Sequence, residues 1–277
     1  MSLSSRVSQI TAAMEDYCPV CARPAIPRVE EAFEPWLTIA SPSNFDHGMS
    51  EALFAMQKLS SGEVASDPIG NTPVQPNITL LDIASVGGEL TEWRGDAAES
   101  FRDHIEVPFP GVMKNYYNAV SVLRGALDAE KAIWTAVEND LEDISSKALS
   151  AAEALGDTNG SQASFALTVV GAVVAVALAP VTAGASVGAA VAITAVAGGF
   201  AVAGSAASVD WSGDSPEDIA SGIESGLTKL NEELTTAETK VQEALQGITG
   251  WLDGGGRGYE FPTVDLGTGP GGLTGLK

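Results

Sequence analysis

A chain of 277 residues with 45% apolar content has enough material for one large or two ordinary domains. Its 36 acidic against 14 basic residues give a formal net charge of −22, which repels phosphate backbones and anionic headgroups and excludes nucleic acid as an expected partner. The opening MSLSSRVSQITAAMEDYC holds a single Arg and no long apolar run, so it does not read as a Sec-type signal peptide, and any export is expected by a non-Sec route.

Residues 1–45 read as an irregular, proline-punctuated segment with a short helix from Arg28 to Ile39, bent by Pro35. Cys18 and Cys21, in YCPVCARP, are the chain's two cysteines, and three states stay open for them: a local disulfide, half a zinc site, or free thiols. His47 and His104 stand at no metal-like spacing from the pair, so no metal or other cofactor is expected. A redox role would need a helix start beneath the first thiol, and Pro24 and Pro27 argue against one.

Phe45, Met49, Leu53, Met56 and Leu59 recur every three or four residues, predicting an amphipathic helix over about 45–59. GEVASDPIGNTPVQPNIT is a long loop by its Gly, Pro, Asn and Asp content, and LLDIASVGGELTEW predicts a short helix ending near a Trp-Arg-Gly step. Trp93 and Gly95 then precede the acidic run DAAESFRDHI. Gly tolerates a positive φ, an indole can pack between two helices, and acidic residues suit a helix start, so the step reads as the elbow of a helical hairpin.

Beyond Pro110, Met113, Tyr116, Val120, Leu123, Leu127, Trp134, Val137, Leu141, Ile144, Ala148, Ala151 and Leu155 form a stripe interrupted only by Glu130. Sustained over many turns, that pattern predicts a long helix in a coiled-coil or bundle seam. Between Asp157 and Asp210 no charged residue occurs. A helix apolar on every face must enter a core, another subunit or a bilayer, so this stretch is expected to fold as two helical arms divided at Pro180. The arms, of about 15 and 21 residues, compare with roughly 20 for a ~30 Å hydrocarbon layer. Phe165, Val169, Val174, Gly184, Gly188, Val196 and Phe200 are the candidate membrane or oligomer contacts, the glycines allowing close helix approach.

A second Trp-x-Gly, Trp211 with Gly213, precedes a last amphipathic helix carrying Ile219, Ile223, Leu227, Leu230, Leu234, Ala237, Val241, Leu245, Ile248 and Leu252. Ser215 is its predicted cap and Asp218 the capping-box acid. The Gly-rich tail carries no core-forming pattern, and no strand alternation stands out anywhere. The expected class is therefore all-α, an elongated helical bundle. Its segments are an irregular part (1–45), a Trp-x-Gly hairpin (46–155), an apolar helical hairpin (156–210), a C-terminal helix (211–252) and a flexible tail (253–277).

No catalytic constellation accompanies these elements. Asp103 beside His104 and Asp46 beside His47 are sequence neighbours, which point apart on a helix, and the tail's G-x-G-x-x-G follows no strand. An enzyme is not expected. The Trp93–Gly95 step, with YYNAVSVLRGALDAEKAIWTAVENDLEDISSKALSAAEAL after it, resembles the WXG-type proteins of actinobacterial type VII secretion systems over residues 45–155. Their Tyr-x-x-x-acid signal is absent, Tyr116 being followed by Val120 and Tyr117 by Ser121. An apolar hairpin between long amphipathic helices also resembles cytolysin A-like pore-forming proteins. The resemblances imply a secreted or surface-displayed helical protein that assembles with a helical partner or with itself, with membrane contact as a further expectation. A structural part of a phage or injection particle is a third reading.

Overall fold

The computed structural model describes residues 2–60, 73–89, 92–156, 162–166, 208–212 and 214–253. In chain order these form α1 (Leu3–Tyr17), α2 (Pro19–Ala22), α3 (Ala25–Phe33), α4 (Phe45–Leu59), α5 (Ile78–Glu89), α6 (Asp96–Phe101), α7 (Phe109–Glu153), β1 (Gln162–Ala166), β2 (Ser208–Ser212) and α8 (Pro216–Asp253). The class is all-α, as expected, with one two-stranded ladder as the exception among the described residues. These residues fall into two compact units: 2–48, 126–156, 162–166, 208–212 and 214–243 in the first, and 49–60, 73–89, 92–125 and 244–253 in the second.

The N-terminal segment is helical, which corrects the expectation of an irregular 1–45. The Ser2 hydroxyl accepts the Ser5 N–H at 3.3 Å, and Val7, Ile10 and Met14, spaced three and four apart, are buried. A cap followed by a helical stripe suffices to nucleate α1 once that face is packed. Residues 25–36 form α3 and a 3-10 turn over Glu34–Trp36, so the predicted bend at Pro35 is a helix end.

Two arginines tie these helices to the long ones of the first unit. Arg6, nearly buried, donates to the Glu142 carbonyl (2.9 Å), Ser146 Oγ (2.6 Å) and Ser145 Oγ (3.2 Å), and pairs with the Glu142 carboxylate (2.5 Å), fixing α1 to α7. Arg28 forks onto Glu224 through Nε (2.8 Å) and Nη2 (2.5 Å) and reaches Glu217 through Nη1 (2.6 Å), fixing α3 to α8. The hydrogen bond from Arg28 holds the Glu224 carboxyl below its ordinary range. These pairs are partly exposed, so they set register more than they add stability.

α8 starts where expected: the Asp218 N–H donates to Ser215 Oγ at 3.2 Å, and that hydroxyl donates to Asp218 Oδ2 at 2.6 Å. Its buried residues Ile219, Ile223, Leu227, Leu230, Leu234, Ala237 and Val241 follow the predicted stripe. α7 follows its predicted stripe only from Val137 onward. Nearer its start, Leu123 is 47% and Tyr116 38% exposed, while Val122, Ala126, Ala129 and Ile133 are buried. The seam takes the neighbouring row of smaller residues, since small side chains let helices approach closely.

Glu130 lies beside that row. Burial raises its carboxyl pKa above 4.5, and the charge of Glu238 raises it further, against a hydrogen bond from Trp134 that lowers it. A raised folded-state pKa means the fold prefers the protonated acid, so Glu130 is neutral to stability below its ordinary range and costs stability as pH rises through the folded value. Glu130→Gln is expected to raise Tm at pH 7 in thermal melts, with the gain vanishing below about pH 4.

Candidate interaction surface

The Trp-x-Gly step lies between α5 and α6. α5 is anchored at its start by Asn77, whose N–H donates to the Ser60 carbonyl (2.8 Å), whose Nδ2 donates to the Lys58 carbonyl (2.7 Å), and whose Oδ1 accepts the Thr79 N–H (3.1 Å). At the other end of the hairpin Gly95 has φ 102° and ψ 175°, a conformation that L side chains rarely adopt. Its carbonyl accepts the N–H groups of Ala98 (2.9 Å) and Glu99 (3.1 Å), starting α6, and Asp96 and Glu99 complement that first turn.

After α6 the backbone widens into a π-helical stretch over Arg102–Glu106, with the Val107 N–H reaching the Arg102 carbonyl at 3.0 Å. α5 packs back against this stretch. The Trp93 ring leans on Phe101, centroids 5.6 Å apart at 52°, an aromatic contact that braces the turn. It is 41% exposed, which corrects the expectation that the indole sinks between helices.

On α5 and on the stretch after α6, large apolar side chains are exposed. Ile78 is 73% and Val107 67% exposed, with Leu81, Ile83 and Ile105 also open. In the same unit Met56, Val74 and Tyr117 form a closed apolar cluster with Leu53, Leu59 and Val120 against it. Burial there pushes the Tyr117 phenol up to about 12. The second unit thus has a core of its own and a separate apolar surface that this core does not use. Large exposed apolar patches mark association sites. Ile78 and Val107 were not singled out from the sequence; the available signal was that ITLLDIASVGGE carries only Asp82 and Glu89 as charges, too few for a helix with a full solvent face.

The other predicted positions are dispersed. Phe165 lies in β1 and Trp211 in β2, paired antiparallel in the register Gln162↔Ser212, Ala163↔Trp211, Ser164↔Asp210, Phe165↔Val209 and Ala166↔Ser208. This corrects the helical reading of 162–166 and 208–210, and Trp211 stands in a strand. QASF and SVDWS alternate polar and apolar residues, and the register matches apolar with apolar, which favours a ladder. Val169, Val174, Pro180, Gly184, Gly188, Val196, Phe200 and Gly213 lie outside the described residues, as does the tail beyond 253.

Cys18 and Cys21 are bonded as a disulfide, Cα atoms 5.3 Å apart, which decides among the three open states. Cys18 also caps α2, with Pro19 in the first helical turn, so the expected lack of a helix start beneath it is corrected. No group of three or more His, Cys, Asp or Glu suited to a metal occurs among the described residues, and no helix among them is long and apolar enough to cross a membrane.

The same substitution at two glycines separates backbone strain from crowding, because a Cβ meets nothing within 4 Å at either Gly95 or Gly88. Gly95→Ala is expected to destabilise by about 1–3 kcal/mol through its positive φ. Gly88→Ala, within α5, is expected to stabilise by up to about 1 kcal/mol, with chemical denaturation reading both.

No family model, curated protein or solved structure matches this chain.

Proposed function

We propose that the protein is a secreted, type VII-like helical assembly protein whose elbow presents an apolar surface to a helical partner or to a second copy. The observation that carries this reading is the exposure of Ile78, Leu81, Ile83, Ile105 and Val107 on the two arms that flank a Trp-x-Gly turn with a positive-φ glycine. An amphipathic partner helix laid over such a surface would remove it from water, the usual driving force for helix-in-groove recognition. The strongly acidic composition suits a chain kept soluble while its apolar elements await a partner.

The export part of the reading is tested in an actinobacterial host with a working type VII system, comparing the native chain with Trp93→Ala. The expected result is native protein in the culture filtrate and a variant retained in cells at about a tenth or less of the exported level, with helicity unchanged by circular dichroism. Export of both at equal levels, or of neither, contradicts it.

A second reading, membrane perforation, draws on a different observation. β1 and β2 make Ala166 and Ser208 cross-strand partners, so the chain leaves and returns at one place while the stretch between carries no charge. A sequence without charges between two paired strands is suited to entering an apolar environment. Dye release from liposomes by the native chain, abolished by Val174→Asp with Val196→Asp, is the expected result; no release by the native chain contradicts it.

A further inference from the structure

Away from the elbow, the corner joining α1 to α3 holds the Cys18–Cys21 bridge, whose two residues are unequally exposed. Cys21 is exposed, as are Pro19 and Val20, the latter at 84%. Cys18 is half-buried, and its Sγ accepts the Cys21 N–H at 3.2 Å. The corner does not rely on the bridge for its packing: Met14, Ala22 and Ala25 are fully buried, the Cys18 N–H donates to the Met14 carbonyl (3.2 Å), and the Ala22 N–H donates to the Cys18 carbonyl (2.9 Å). Closing a ring with only two residues between the cysteines also constrains the unfolded chain far less than a long loop does.

From this asymmetry we propose that the bridge is a thiol–disulfide exchange site, at which the thiolate of a small thiol attacks Cys21 Sγ and Cys18 is the leaving group. The incoming sulfur forms a new S–S bond to Cys21, the Cys18–Cys21 bond breaks, and its electron pair stays on Cys18 as a thiolate. One disulfide is consumed and one formed, so no outside oxidant enters. Attack falls on the more exposed of the two residues, and the backbone N–H already placed at Cys18 Sγ stabilises the negative charge that develops there. Because the packed corner keeps the thiolate next to the mixed disulfide, attack in reverse restores the bridge and expels the small thiol; with no third cysteine in the chain, the bond has nowhere else to move within one molecule. The net charge of −22 favours a cationic thiol over an anionic one.

The full-length oxidised chain is incubated with cysteamine near neutral pH and quenched with excess N-ethylmaleimide, and the adducts are placed by tandem mass spectrometry. Circular dichroism is recorded in parallel. Cysteamine on Cys21 with maleimide on Cys18 is expected to exceed the reverse pattern by about tenfold or more, with helicity retained. Equal or reversed labelling overturns the proposal. So does a bridge that yields no labelled thiol until denaturant is added, because the folded corner would then be closed to exchange.

Discussion

Burial of one row of aliphatic residues along α7, mostly small or β-branched, is the constraint that the first unit depends on. Ala126, Ala129, Ile133, Val137, Leu141, Ile144 and Ala148 are all buried, and α8 contributes an equally continuous row from Ile219 to Val241. Isolated helices of ordinary composition are marginal in water, so helices of this length persist because their apolar rows are covered. Each fully buried aliphatic side chain contributes about 1.5–3 kcal/mol relative to exposure, which far outweighs the partly exposed arginine pairs. Arg6 and Arg28 have another consequence: forked, charge-assisted contacts accept few geometries, so they select which turn of α7 and α8 each short helix meets.

The second unit contrasts with this economy. It closes a small cluster around Met56, Val74 and Tyr117 and leaves α5 and the start of the following hairpin arm with apolar side chains in water. A π-helical widening is a local cost in that elbow, where a positive-φ glycine makes the turn and the Trp93–Phe101 contact braces it. Sequences carry such costs where the resulting shape is used, and the shape here is an apolar surface presented on a turn. The proposed partner helix would supply the burial that the chain itself leaves undone.

Much of this was legible in the sequence. α4 and α8 follow their predicted ranges because periodic apolar spacing and recognisable end signals agree there, Ser215 and Asp218 being the clearest pair, while α5 overlaps its predicted stretch over 80–89. The glycine of the elbow was readable for the same reason, since acidic residues after a Trp-x-Gly step mark a helix start. In the first half of α7 the larger residues Leu123, Leu127 and Trp134 suggested one face, whereas packing selects the adjacent face through alanines. The interruption at Glu130 was the visible sign that the stripe had drifted to the flank of the seam. α1 was hidden by a serine-rich start, although Val7, Ile10 and Met14 carried its period. The ladder was hidden because each strand is only five residues long and its partner lies far along the chain, so no local signal joins them. The outward apolar surface was the least legible of all, because exposure is a property of the assembled unit and no spacing rule reports it.

Native-state hydrogen exchange on the full chain tests the division between a covered seam and an uncovered elbow. Amides of residues 126–152 and 219–241 are expected to exchange only through global or near-global opening, while those of 78–89 and 96–107 exchange faster by about two orders of magnitude or more. Equal protection in both regions would mean that the elbow is as fully packed as the seam, and the account of an apolar surface awaiting a partner would be wrong.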